Sequence, residues 1–257
     1  MVLPIRERLA MFMPPAWFYR RRIAEETRSG EPELAMLATL VPHGGTAIDV
    51  GANQGLFSYA LSDIADRVVA FEPNPDYASF ARWMLRGRAE VHQLALADTS
   101  GRGILYVPLS DDGMVLHFAG NLQRTHSQFR NMQTHDVDIR TLDEFGLVGV
   151  RFIKADVEGS ERAVLDGAQA TIARDRPIIL LELLSGTHAD PAASTAAICE
   201  CFGYDAFIVQ RGEMIAALPA IAALGKNTSW GTDIESRNVL FVPLCARGGR
   251  QCPEGGG

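Results

Sequence analysis

The chain reads as an α/β protein built on a doubly wound, mostly parallel sheet with helices on both faces. Three observations lead there. Short apolar runs at 47–50, 67–71, 150–157 and 178–184 suit strands buried on both sides. Stretches with helical spacing separate them. The first run ends in a glycine turn, Asp49-Val50-Gly51-Ala52-Asn53-Gln54-Gly55, which passes directly into a helix through Leu56, Phe57, Tyr59, Ala60 and Leu61.

Composition bounds the rest. The 257 residues are 47% hydrophobic and 21% charged, which fits one well-packed domain with a small appendage. We expect an N-terminal helical extension at 1–42, the main domain at 43–245 and a disordered tail at 246–257. A net charge of -7 argues against nucleic acid as a main partner. No apolar run has the length of a bilayer span. The aromatic stretch Leu9–Tyr19 is broken by Pro14 and Pro15 and followed by Arg20, Arg21 and Arg22, the reverse of a signal peptide's order, so a cytoplasmic location is expected. An arginine-flanked aromatic stretch also suits peripheral contact with a membrane surface. The competing readings are a helix packed across the domain and a homodimer contact. Cys199, Cys201, Cys245 and Cys252 contain no C-x-x-C pair, so neither zinc nor a disulfide framework is expected.

In chain order, 5–42 should be helical, interrupted at Pro14–Pro15 and near Gly30–Pro32, with Glu33–Leu40 a good helix former. After the second strand, Pro73-Asn74-Pro75 breaks the chain, and Tyr77, Phe80, Trp83 and Met84 mark one apolar helix face that Gly87 would end. Glu90–Ala97 alternates as a third strand with Asp98 at its tip. Gly103–Leu109 suits an additional short strand. Ser110–His135 is an irregular insertion of the kind that forms lids or binding loops. Asp136–Arg140 alternates as a strand, and the T-x-x-E order of Thr141–Glu144 predicts a capping box. A helix should follow Glu158 and Gly159, and another should cover Pro191–Phe202. Tyr204–Gln210 and Arg237–Pro243 should close the sheet.

The glycine turn and its surroundings suggest a ligand. About 20 residues past such a turn, an acid at the tip of the second strand suits hydrogen bonds to ribose hydroxyls, and Glu72 stands there. The turn is D-x-G-x-N-x-G, not G-x-G-x-x-G, and so brings the carboxylate of Asp49 to the loop. That carboxylate would repel a pyrophosphate and attract a cationic amino-acid group. S-adenosylmethionine fits this better than a nicotinamide dinucleotide.

Several segments together resemble the FkbM family of S-adenosylmethionine-dependent methyltransferases: I-D-V-G-A-N-Q-G-L-F-S (48–58), V-V-A-F-E-P-N-P (68–75), L-A-L-A-D (94–98), T-L-D-E-F (141–145), F-I-K-A-D-V-E-G-S-E-R-A-V-L-D-G-A (152–168), P-I-I-L-L-E (177–182) and R-N-V-L-F-V-P (237–243). They occur in the family's order. The resemblance implies the Rossmann-like class I methyltransferase fold, a seven-stranded sheet whose last strand runs antiparallel. It also implies O-methylation of a sugar, glycolipid or natural-product hydroxyl.

Roles follow from position. Asp49, Gly51, Asn53 and Gly55 would hold the methionine end, Glu72 the ribose with Asn74 in support, and Ala97 and Asp98 would flank the adenine. Asp98 also has good turn chemistry. For the acceptor proton, Asp156, Glu158 and Glu182 lie at neighbouring strand ends, and His188 follows the next strand. The three carboxylates could orient a hydroxyl, accept its proton or bind magnesium. Glu158 also suits an N-cap, Lys154 suits neutralising a carboxylate, and His43 and His92 suit structural places. Two alternatives stay open: a nicotinamide-dependent oxidoreductase, and a catalytically inactive cofactor-binding module.

Overall fold

A computed structural model describes residues 5–29, 31–108, 132–184, 188–223 and 235–244. Most of the 110–135 insertion, with His117 and His126, lies outside the described residues, as do Cys245, Cys252 and the tail. His135 lies within β6, named below. Cys199 and Cys201 are free thiols.

Three helices come first: α1 (Ile5–Ala10), α2 (Pro15–Ser29) and α3 (Glu33–Leu40). The main sheet follows with β1 (Thr46–Val50), β2 (Arg67–Phe71) and β3 (Glu90–His92), connected through α4 (Leu56–Leu61) and α5 (Pro75–Met84). A small sheet comes next, made of β4 (Ala95–Leu96), β5 (Gly101–Pro108) and β6 (Met132–Arg140). The chain then returns to the main sheet through β7 (Val150–Ala155), α6 (Glu161–Asp166), α7 (Gln169–Asp175), β8 (Ile178–Glu182), α8 (Pro191–Phe202), β9 (Tyr204–Gln210), β10 (Glu213–Ala216), α9 (Ala217–Ala223) and β11 (Asn238–Pro243).

The main sheet has the order β10-β9-β11-β8-β7-β1-β2-β3. The five strands from β8 to β3 pair in parallel, and β11 runs antiparallel between β8 and β9. This is the doubly wound, mostly parallel sheet with a reversed last strand that the sequence predicts. One strand is added: β10 folds back on β9 as a hairpin through Arg211 and Gly212, both at positive φ. The alternation there is too brief to stand out in the sequence.

Two other expectations change. Glu90–Ala97 is not one strand: the chain leaves β2 after His92 and re-pairs as β4 with β6 in the small sheet. The Thr141 side chain makes no cap bond and the segment is a 3-10 helix (Leu142–Phe145). Asp143 instead caps α7, accepting from Ala170 N at 2.8 Å, Thr171 N at 2.9 Å and Thr171 Oγ1 at 2.7 Å. Glu144 accepts from Ser100 Oγ.

The core lies on both faces of the sheet. One face packs β1, β7, β8 and β11 against α6, α7 and α8 through Ile48, Ile153, Leu165, Ile172, Ile198 and Phe241. The other face packs Ala47, Phe152, Leu180 and Leu240 against Leu34, Leu37 and Leu40 of α3. The N-terminal helices therefore cover the sheet rather than hang from it. Glu33, fully buried, binds Ser236 Oγ and Asn238 Nδ2 (3.2 Å), tying α3 to the start of β11. Leu37→Ala should lower unfolding free energy by about 2–5 kcal/mol, as for other buried leucines, in a urea titration; a loss below about 1 kcal/mol would mean that α3 contributes little to the core.

Candidate active site

All five parallel strands end on one side of the sheet, where ligands sit in such folds. β1 delivers Asp49, Gly51 and the glycine loop there. β2 delivers Glu72, β7 Lys154 and Asp156, and β8 Glu182. Because β11 is antiparallel, its beginning reaches the same side: Asn238 pairs with Glu182, and Arg237 precedes it.

The loop is held by main-chain and carboxylate contacts. Gly51 N and Ala52 N both donate to Phe71 O. Gly51 has φ +74°, and a Cβ there would lie 1.8 Å from Asp156 O. A Cβ at Gly55 would lie 2.6 Å from Leu85 Cδ1. Both glycines are thus demanded by protein packing, in addition to any ligand. Asp49 is wholly buried; its Oδ2 accepts from Ser58 N at 2.9 Å and Ser58 Oγ at 2.6 Å, which fixes the first turn of α4. Its Oδ1 is buried with no hydrogen-bond partner. Burial raises the Asp49 carboxyl above its usual range against the pull of Lys154 and Ser58.

Glu72 spans the loop and the next turn. One oxygen accepts from Asn53 N at 2.7 Å and the other from Asn74 N at 2.8 Å. Asn53 itself stands at φ +50°, which asparagine tolerates. Burial pushes the Glu72 carboxyl up to about 7, with its two backbone donors opposing. Asn74 caps α5, its Oδ1 accepting from Asp76 N at 3.0 Å.

The adenine side is looser. Ala97 N donates to Arg140 O at 3.0 Å, and Ala97 O packs on Gly167, where a Cβ would lie 2.1 Å away. Asp98 is exposed in the turn that follows. His92 stacks on Phe71 at 5.2 Å and meets Phe145 edge-on, a structural place as expected.

At the β7 and β8 tips, Lys154 Nζ lies 3.2 Å from Asp156 Oδ2 and 4.9 Å from the centre of the Phe57 ring. Asp156 and Glu182 share a hydrogen bond. Burial and the charge of Asp156 raise Glu182 far above the usual carboxyl range, so it carries the shared proton and donates it. Burial opposes ionisation of Asp156 too, but Lys154, the bond from Glu182 and Arg237 outweigh it and hold that carboxyl below its usual range. Arg237 lies 3.8 Å from Glu182, 3.5 Å from Glu31 and 4.0 Å from Glu26. Burial pushes Glu31 up to about 7.

Glu158 sits at φ +53°, ahead of Gly159 at φ +101°. A glutamate in this region is held by its surroundings at a cost, a pattern that gathers at functional sites. Its carboxylate makes no hydrogen bond or ion pair among the described residues. Burial, then the charges of Asp156 and Glu161, push it up to about 7. Nor does Glu158 cap α6, whose N-cap is Ser160 with no side-chain cap bond; the turn is held instead by Glu161, which is wholly buried. Its Oε1 accepts from Val157 N at 3.0 Å and Gly159 N at 3.2 Å, and its Oε2 meets His188 Nε2 at 2.8 Å. His188 is thereby tied to the turn that carries Glu158. Glu161, Glu31 and Arg237 were not singled out by sequence. Glu161 and Arg237 stand inside recognisable segments, whereas Glu31 is brought in only by the packing of the N-terminal helices.

Among the described residues, no group of three or more His, Cys, Asp or Glu is arranged to hold a metal ion. Magnesium therefore gains no support.

A mostly parallel sheet with a glycine loop after β1 and an acid after β2 is the arrangement that nucleotide-binding α/β folds share. Comparison with known proteins narrows it. Residues 49–207 match the methyltransferase FkbM domain. The chain belongs to the FkbM methyltransferase family. A search of curated proteins found no match. The fold is similar to that of methyltransferase FkbM from Methylobacillus flagellatus KT, with a TM-score of 0.53 and 17% identity over 82% of this chain and 48% of that one. The chain thus spans about half the length of that relative. Weaker likenesses include a candidate methyltransferase from Streptococcus mutans in complex with S-adenosylhomocysteine (TM-score 0.46, 10% identity, 83% of this chain and 97% of that one). An rRNA methylase from Streptococcus thermophilus also matches (TM-score 0.43, 10% identity, 83% and 95%).

Glu158 offers a clean pH test, because its carboxylate holds nothing in place. A carboxyl raised in the folded state favours folding at low pH and loses that contribution as pH climbs from its ordinary value toward the raised one. Between about pH 5 and about pH 7.5 the melting temperature of Glu158→Gln should fall less than that of wild type. Parallel curves would show that Glu158 titrates normally.

Proposed function

We propose that the chain is an S-adenosylmethionine-dependent O-methyltransferase acting on a hydroxyl of a sugar, glycolipid or natural-product acceptor. The observation that carries this reading is the clamp of Glu72 on Asn53 and Asn74 at the mouth of the glycine loop, in a chain of a methyltransferase family. Two features fit the donor. Asp49 Oδ1 is a buried oxygen without a partner, suited to a cationic amino-acid end reached directly or through water. Glu72 places a carboxylate where vicinal hydroxyls would lie, and Ala97 and Asp98 are left for the adenine edge.

When bound, this donor supplies a methyl group on a positive sulfur. The chain's own part is to hold an acceptor oxygen in line with that methyl and to take its proton. Orientation of this kind is worth about 7–11 kcal/mol. Glu158 is the base. It has no competing partner, it stands beside the strand tips, and its carboxyl titrates near neutrality. Asp156, ionised beside Lys154, orients the acceptor hydroxyl. Glu182 stays protonated and fixes Asp156 rather than accepting a proton itself. His188, bound to Glu161, holds the Glu158 turn.

Calorimetric titration with S-adenosylhomocysteine, and with NAD and NADP as controls, tests the donor class. We expect binding of S-adenosylhomocysteine alone; a preference for NAD would instead favour the oxidoreductase. Glu72→Ala should weaken S-adenosylhomocysteine about 10- to 100-fold, the range for lost charged hydrogen bonds, and unaltered affinity would remove Glu72 from the site. With an acceptor found by screening, Glu158→Gln should keep donor affinity and lower kcat by about 10²–10⁴. A kcat within about threefold of wild type would exclude Glu158 as base. Asp156→Ala should likewise spare donor binding and lower turnover.

A further inference from the structure

The elbow between α1 and α2 exposes apolar side chains that the core does not use. Leu9 is 60%, Phe12 90% and Trp17 52% exposed. Such groups beside buried neighbours are unusual: Phe18 and Tyr19, next to Trp17 in sequence, are buried against Phe80 and Tyr59. The exposed apolar groups are accompanied by arginines. Trp17, Arg20 and Arg21 share the outer face of α2 at helical spacing, and Arg8 is exposed on α1. Arg21 stacks over Trp17 at 5.8 Å and pairs with Glu25, whereas Arg8 and Arg20 make no ion pair among the described residues. Residues 1–29 hold six arginines and three glutamates in a chain whose net charge is -7. An excess of positive charge thus accompanies the projecting Phe12 and Trp17.

We infer that this elbow docks on an anionic lipid bilayer. Aromatic and leucine side chains entering the interface beside arginines facing lipid phosphates are what interfacial helices use. A mainly acidic chain would be repelled from that surface unless it turned this end toward it. The chain would lie on the bilayer, since no described helix is long and apolar enough to cross one. The same elbow holds the glycine loop: Tyr19 Oη donates to Gln54 O at 2.8 Å, and Gln54 Nε2 donates to Glu7 Oε1 at 2.7 Å. Docking would bring that loop close to the membrane. The inference does not depend on which reaction the site performs.

Vesicle co-sedimentation of the full chain tests it, comparing phosphatidylcholine vesicles with others containing about one-third phosphatidylglycerol. We expect binding to the anionic vesicles that weakens at least tenfold in Arg20→Gln/Arg21→Gln, at about fivefold per arginine, and that is lost in Phe12→Ser/Trp17→Ser. Both variants should keep the wild-type melting temperature, since these groups lie outside the core. Three results would overturn the proposal: absence of binding, equal binding to both vesicle types, or a wild-type dimer in analytical ultracentrifugation that Phe12→Ser/Trp17→Ser dissociates. The last would assign the elbow to a second copy of the chain.

Discussion

A buried ammonium sets the electrostatics of this molecule. Lys154 is 4% exposed near the end of β7, with carboxylates approaching from β1, β7, β8 and the N-terminal helices. Unpaired, such a charge would cost several kcal/mol to bury. Paired, it lets Asp156 stay ionised in a place where burial would otherwise neutralise it. The remaining acids cannot all ionise around one cation, even with Arg237 beside them. They sort themselves accordingly: Asp156 carries charge, Glu182 keeps a proton, and Glu31 and Glu158 titrate near neutrality. Carboxyls of one chemistry thus acquire different roles from position alone.

Much of the fold was legible because its signals are local. β1, its glycine turn and α4 are adjacent in sequence, and Glu72 ends the next apolar run, so pattern and spacing suffice to place them. The reversed last strand came from resemblance and holds. Legibility fails where the decisive partner is distant. Nothing near Glu90–Ala97 marks the switch between sheets at Gln93-Leu94, because β6, more than 40 residues on, determines it. The T-x-x-E pattern at Thr141 is a real cap signature, yet Asp143 binds α7 instead, a contact across 27 residues. The carboxylates after β7 were legible as a group. The pairing of Lys154 with one of them was legible too and holds; the rest of their division of labour was not, since it rests on Arg237 and Glu161, whose contacts only folding creates.

The N-terminal helices contribute more than coverage. α3 closes one face of the sheet, Glu31 reaches Arg237, and Glu7 and Tyr19 grip the glycine loop at Gln54. The stretch set apart as an extension thereby shapes the strand-end site from behind. Both loop glycines have packing reasons as well: Gly51 yields to the Asp156 carbonyl and Gly55 to Leu85. The loop's geometry is therefore largely established by protein contacts before a ligand arrives, which reduces the ordering that binding would require.

The hairpin strand β10 has a further consequence. A parallel sheet of long apolar strands is a hazard wherever it ends, because an open row of backbone groups can template another chain. Here the sheet tapers instead. β3 contributes three residues at one margin and β10 four at the other, with Glu213 exposed on the latter. The strands richest in valine, isoleucine and leucine sit in the interior of the order. Short, partly charged margins leave little length for edge-to-edge pairing along the main sheet, so the hairpin that adds an eighth strand also blunts that edge.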